Sequence, residues 1–107
     1  MKGSPRRVGA ALQIDRLETV DRAEAEVVVR CLDGPVRLGA RFGRIRGEVP
    51  GTIDLELTRA IVYGRSVEAL DTGLTALVTL RGAGVHHLLP GSLAGGWQVV
   101  EGADPAP

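Results

Sequence analysis

The stretch TIDLELTRAIVY, residues 52–63, is the longest strand-like run of the chain and decides the fold class. Ile53, Leu55 and Leu57 fall on one side of an extended strand, and the polar residues between them fall on the other. This alternation is typical of a strand with one buried and one solvated face. Its phase is lost at residues 58–60, which predicts a bulge or bend there.

Shorter alternating runs precede and follow this stretch, and turn residues separate them. Pro, Gly and Asp turns recur at spacings typical of an all-β protein. We therefore predict a small closed or nearly closed antiparallel β-barrel over residues 10–100. A flexible segment, residues 1–9, and a disordered tail, residues 101–107, are expected at its two ends. The predicted core consists of Val27, Val29, Val36, Phe42, Ile53, Leu55, Leu57, Ala76, Val78, Leu80 and Leu93.

Residues 12–26 allow two interpretations. Leu17 and Val20 sit at helical spacing, and the Ala/Glu stretch after Asp21 favours a helix. The β-branched run Val27–Val29 and the alternation before Leu17 favour a strand, a turn at Asp21 and a second strand. The second interpretation fits the barrel, and the first stays open on the sequence alone.

The composition limits the classes of protein to which the chain can belong. The chain has 107 residues, 44% of them hydrophobic, and its 13 basic and 13 acidic residues cancel. A neutral chain has no strong overall attraction to nucleic acid or to anionic membranes. No apolar run approaches the roughly 20 residues of a membrane-spanning helix, and no secretory signal follows the basic start. The single cysteine, Cys31, fits a reducing compartment, so a cytoplasmic location is expected.

Several segments together resemble the second-domain β-barrel of translational GTPases of the elongation factor Tu type. The segments are VVVR (27–30), DGPVRLG (33–39), the strand at 42–45, LDTGLTALVTLRG (70–82) and PGSLAG (90–95). In that family a valine-rich strand, a turn with Gly, a Val and a second Gly open the barrel, and a Gly precedes its closing strand. The resemblance spans most of residues 10–100 and implies the barrel fold of that family.

The departures from that family bear on function. The chain has no phosphate loop of the form Gly-x-x-x-x-Gly-Lys-Ser/Thr, and its only lysine is Lys2, so no nucleotide is expected. Arg30 stands where the valine-rich strand of the family normally ends with Gly. No residue matches those that clasp the acceptor end of aminoacyl-tRNA. The resemblance therefore implies a barrel without the GTP-binding domain and without its activity.

No set of residues predicts catalysis, a metal or a cofactor. Neighbouring residues of an extended chain point to opposite faces, so His86 and His87 are not expected to chelate one metal ion. Cys31 follows three valines and is expected in or near the core rather than as a nucleophile. Asp54 and Glu56 project from one face of a strand, where carboxylates are normally just solvated. We therefore expect a protein that is not an enzyme.

The candidate binding patch is a ten-residue window that holds four arginines and no acid. Its members are Arg37, Arg41, Arg44 and Arg46. Residues 1–50 hold ten basic and seven acidic side chains, and residues 51–107 hold three and six, so the patch lies in the more basic half. Basic clusters of this kind contact phosphates or acidic proteins.

Aromatic residues that would stack on bases are scarce, since Phe42, Tyr63 and Trp97 are the whole supply. This scarcity, the neutral net charge and the single lysine favour a stand-alone module that acts by protein–protein interaction. The alternative is a translation-associated accessory that contacts tRNA or ribosomal RNA through the arginines. No membrane partner is expected, and the oligomeric state stays open.

Overall fold

The computed structural model describes residues 9–89 and 97–105. Within these residues the chain forms nine strands and one 3₁₀ turn, Val85–His87. The strands are β1 (Gly9–Val20), β2 (Glu24–Asp33), β3 (Val36–Arg37), β4 (Arg41–Ile45), β5 (Asp54–Val62), β6 (Arg65–Val67), β7 (Ala69–Leu70), β8 (Thr75–Ala83) and β9 (Gln98–Ala103). Across these described ranges no helix is long and apolar enough to cross a membrane.

Six of the strands form a closed antiparallel barrel, as predicted. They follow one another in the order β4-β9-β1-β2-β8-β5, and β4 pairs again with β5 to close the ring. Arg41 lies opposite Glu56 and Phe42 lies opposite Leu55 at this closing pair. β6 extends the sheet beyond the ring at β5, and β3 pairs separately with β7 at the end of the barrel where β2 ends and β8 begins.

Residues 12–26 form a strand, a turn and a second strand, so the helical interpretation is wrong. The amide of Asp21 donates to the carbonyl of Glu24 at 2.7 Å, and the Asp21 carboxylate accepts from the amide of Arg22 at 2.8 Å. Beyond this turn every second residue from Ala25 to Val29 is buried in β2. Tertiary pairing with β1 and β8 outweighs the helical preference of the Ala/Glu stretch.

The predicted irregularity in the longest run is present. Leu57 pairs with Leu80 and Arg59 pairs with Thr79, so Thr58 is the extra residue of a bulge in β5. After the bulge, Ala60 points inward and is buried. The bulge lets β5 keep one apolar face toward the core although its sequence changes phase.

The core agrees with the sequence prediction wherever that prediction is described. Ten of the eleven expected core residues are buried, and Leu93 lies outside the described residues. The first strand contributes Leu12 and Ile14, which are fully buried. Val36 and Leu70 pair across β3 and β7 and are also fully buried, so the short ladder covers one end of the barrel.

Two expected boundaries differ from the structure. The tail expected from residue 101 is wrong for residues 101–103, because β9 continues to Ala103 and pairs with both β1 and β4. At the other end Gly9 already belongs to β1, opposite Ala103. Glu68 separates β6 from β7. The rest of the expected flexible segment, residues 1–8, and residues 106–107 lie outside the described residues.

Candidate functional site

Arg41, the second arginine of the predicted patch, pairs with two acids on the outer face of the barrel. Its Nη2 lies 2.7 Å from Oδ1 of Asp54, and its Nη1 lies 3.4 Å from Oε1 of Glu56. The closing pair of β4 with β5 places Arg41 directly opposite Glu56. The hydrogen bond to Asp54 and the charge of that carboxylate raise the pKa of Arg41 above its ordinary value.

Arg44 and Arg46 share one acid from the last strand. Nε of Arg44 lies 3.1 Å from one carboxylate oxygen of Glu101, and Nε of Arg46 lies 2.7 Å from the other. Arg44 faces Glu101 in the β4–β9 ladder, and the amide of Arg46 donates to the carbonyl of Val99 at 2.8 Å. β9 therefore brings its acid to the face that the sequence predicted to be purely basic.

Arg37 lies apart from the other three arginines. It belongs to β3, and its main-chain amide donates to Oδ1 of Asp104 at 2.8 Å. Arg37 lines an open depression of about 350 Å³ together with Leu38, Glu68 and Ala69. The structure therefore groups three of the four predicted residues and separates the fourth.

The three grouped arginines and their three acids form a charge-balanced set, which we call the arginine ladder. Its members are Arg41, Arg44, Arg46, Asp54, Glu56 and Glu101. Three positive and three negative charges give a sum of zero. The field over this face is therefore far weaker than four unpaired arginines would produce. Asp54 and Glu56 lie on the solvated face of β5, as expected, and there they pair with Arg41.

The histidine pair differs from its expected conformation. His86 and His87 lie on the 3₁₀ turn and not on an extended chain, and their ring centroids are 4.3 Å apart. Both side chains are exposed. Within the part of the chain that the structure describes, no group of three or more His, Cys, Asp or Glu residues is placed to hold a metal ion.

Cys31 is buried, as expected. Its thiol donates weakly to the carbonyl of Leu70 at 3.6 Å, and burial raises its pKa from the ordinary value of 9.0. A raised pKa keeps the sulfur as a thiol at neutral pH, whereas a nucleophile needs the thiolate. This environment is that of a core residue.

An apolar surface that the sequence analysis did not single out lies at the end of the barrel where β8 ends and β9 begins. Trp97 is 59% exposed and Leu89 is 42% exposed. Gln98, the neighbour of Trp97, holds the chain at Leu89, because its side chain accepts from the amide of Leu89 at 2.6 Å and donates to the carbonyl of His87 at 3.0 Å. We call the set formed by Leu89, Trp97 and Gln98 the tryptophan surface.

One feature of the sequence points to the tryptophan surface. Trp97 is the only tryptophan and stands immediately before a strand whose alternation starts at Gln98. Its exposure follows from that position beyond the strand. The approach of Leu89 to Gln98, the neighbour of Trp97, depends on the fold and has no local signal. Comparison of the chain with known protein families, with curated proteins and with solved structures found no match.

Proposed function

We propose that this barrel is a protein-binding module, without catalysis of its own, that contacts its partner through the tryptophan surface. The observation that carries the proposal is the exposure of Trp97 and Leu89 beside a side chain that holds both chain segments in place. A chain segment that is already held in place loses less conformational freedom on binding. Tryptophan is also enriched among the residues that dominate the binding energy of protein interfaces.

The charge distribution supports a protein partner over RNA. Contacts to RNA phosphates come mainly from Arg and Lys side chains, whose charge neutralises the backbone. In the arginine ladder each of Arg41, Arg44 and Arg46 already faces a carboxylate at 3.1 Å or closer. An RNA backbone would have to displace these acids or bind beside them. The alternative, an accessory that contacts tRNA or ribosomal RNA, therefore has less support.

The relation to the second-domain barrels of translational GTPases stays a prediction. A closed antiparallel barrel agrees with that resemblance, but many unrelated proteins share barrels of this kind. The proposed function rests on the exposed side chains and the balanced charges of this chain. A cytoplasmic location is part of the same proposal and rests on the single, buried cysteine.

The test is affinity capture from an extract of the source cell, scored for protein and for RNA. The baits are the wild-type chain, Trp97→Ala and Tyr63→Ala. Tyr63 is a matched control because it is 96% exposed and belongs to the hairpin of β5 and β6. We expect wild type and Tyr63→Ala to retain the same protein and Trp97→Ala to lose it. Because Trp97 is the only tryptophan, its fluorescence should shift to shorter wavelength when the purified partner, itself free of tryptophan or labelled to distinguish it, is added.

Two results would contradict the proposal. One is retention of the same proteins by Trp97→Ala at the same level as wild type. The other is capture of RNA alone, lost in Arg41→Ala with Arg44→Ala and weakened steeply by salt. An interface with an apolar centre responds little to salt, whereas RNA binding changes with a log–log slope of roughly −0.7 to −0.9 per phosphate contact.

A further inference from the structure

A row of three apolar side chains crosses the outer face of the barrel on β5, β8 and β2. Ile61 lies opposite Leu77, and Leu77 lies opposite Val28. All three are half-buried, whereas their neighbours along each strand point into the core. Outer faces of antiparallel sheets normally alternate to polar residues. Three adjacent apolar residues at this level therefore form a continuous apolar strip, with Leu77 at its centre.

The next outward-facing row on the same strands carries opposite charges at its two ends. Arg59 lies opposite Thr79, and Thr79 lies opposite Glu26. Arg59 and Glu26 therefore lie on the same side of the strip, at its β5 end and its β2 end, two strands apart. Across residues 9–89 and 97–105, the ion pairs within 4 Å involve neither of these two side chains.

This arrangement is complementary to itself under a two-fold rotation. Consider an axis that runs along β8 in the plane between two copies placed face to face. The rotation exchanges the β5 side of one copy with the β2 side of the other, while Leu77 meets Leu77. Ile61 then faces Val28 of the second copy. On the next row Arg59 faces Glu26 of the second copy, and the same contact occurs a second time by symmetry.

We infer that the outer face of β5, β8 and β2 is a self-association surface and that its occupant is a second copy of this chain. The inference goes beyond the proposed function, because this face is formed by strands other than those of the tryptophan surface. Because the charges of Arg59 and Glu26 are complementary to those of a second copy, they indicate that the strip binds another molecule of this chain. An unrelated partner would not be expected to match an Arg on the β5 side and a Glu on the β2 side at the same level.

The shape of the barrel limits the strength of this contact. The outer surface of a closed six-stranded ring is convex, so two copies touch most closely at Leu77 and diverge toward β5 and β2. The long side chains of Arg59 and Glu26 suit the diverging edges, where short side chains would not meet. The contact is small compared with a standard interface, so we expect a reversible dimer at high protein concentration.

The test is sedimentation velocity of the full chain over a series of concentrations. Wild type should shift from monomer to dimer as concentration rises. Arg59→Glu and Glu26→Arg should each raise the dimer Kd roughly tenfold or more, because each places two like-charge contacts in the dimer. An equimolar mixture of these two variants should dimerise again, since both contacts in the mixed dimer join Glu to Arg. Arg22→Glu, the same reversal in the exposed β1–β2 turn, should behave as wild type.

Far-UV circular dichroism checks that each variant is folded, and recovery of the dimer in the mixture separates charge matching from loss of folding. A wild-type chain that stays monomeric throughout would overturn the inference. So would a dimer that neither charge reversal weakens, or a mixture that does not recover. Trp97→Ala should dimerise normally, so loss of the proposed partner and loss of self-association are separate outcomes.

Discussion

Gly102 packs directly against the main-chain carbonyl of Arg41, where β9 and β4 pair near the closing seam of the barrel. A Cβ built on Gly102 would overlap that carbonyl and would also crowd Cα of Phe42 at 2.7 Å. Backbone atoms cannot move aside as a flexible side chain can. Closure of the ring therefore depends on the absence of a side chain at this position.

Replacing Gly102 with Ala is expected to lower the free energy of unfolding by about 2 kcal/mol or more, because overpacked cores typically lose 1–3 kcal/mol and here the clash is with backbone. Urea denaturation followed by circular dichroism measures the change. Gly43→Ala is the matched control on β4, since no atom lies within 4 Å of the Cβ it would add. Equal stability of the two variants would contradict this prediction, because it would mean that β4 can move away from β9 at little cost in free energy.

The local part of the fold could be predicted from the sequence, and the long-range part could not. Alternation located β5, and turn residues located the hairpins, because both signals depend on neighbours in sequence. The extension of β9 to Ala103 had no such signal. Glu101, Gly102 and Ala103 do not alternate in hydrophobicity, and they form a strand because β1 and β4 lie on either side.

At the candidate site, too, the local features could be predicted from the sequence and the long-range contacts could not. The acid-free window around Arg41 and Arg44 is a true property of the sequence, but the surface it forms is balanced in charge. The partners of Arg41 could have been predicted, since a hairpin between β4 and β5 brings Glu56 opposite. Glu101 could not, because it is more than 50 residues away and reaches Arg44 only through the β4–β9 ladder.

The turn between β5 and β6 should be improved by substitution at Tyr63. Tyr63 has φ 52° and Gly64 has φ 78°, the left-handed pair of a two-residue type I′ hairpin. A bulky residue is strained in this region, whereas Asn tolerates it. Tyr63→Asn should therefore raise the free energy of unfolding by about 0.5–1 kcal/mol. Thermal or urea denaturation measures it.

Tyr63→Val is the control for that gain. A β-branched side chain is still less tolerant of positive φ, so this variant should be less stable than wild type. Because Tyr63 is 96% exposed, neither change alters the core. The prediction would be wrong if Asn and Val had the same effect.

Removing the acids of the arginine ladder should create a polyanion-binding surface. The triple change Asp54→Asn, Glu56→Gln and Glu101→Gln leaves three arginines without their carboxylates and shifts the net charge by +3. We expect later elution from heparin and a tRNA gel shift at low salt that wild type does not show. Stability should change little, because the three arginines lie on the outer face in contact with solvent.

The control adds the same charge elsewhere. Asp21→Asn, Glu24→Gln and Glu68→Gln also shift the net charge by +3, but they remove acids that pair with no arginine of the ladder. Heparin retention equal to that of the first triple variant would mean that net charge alone decides binding. A tRNA shift by wild type at moderate salt would favour the RNA alternative.

The buried thiol of Cys31 leads us to expect that the free energy of unfolding falls in alkaline solution. Burial raises the pKa of its thiol above 9.0 in the folded chain, whereas the unfolded chain ionises near the ordinary value. Above that value the unfolded state releases the proton more readily, so the free energy of unfolding falls as pH rises from 9 toward the folded pKa. Well below pH 9 the thiol is neutral in both states and contributes no pH dependence. Urea denaturation of wild type and Cys31→Ala from pH 7 to 10 isolates this effect, because every other titrating group is common to both proteins. We expect the alanine variant to be less stable at pH 7, since it loses buried sulfur, but to lose less stability between pH 8.5 and 10. Parallel curves for the two proteins would show that the Cys31 thiol ionises as easily in the barrel as in the unfolded chain.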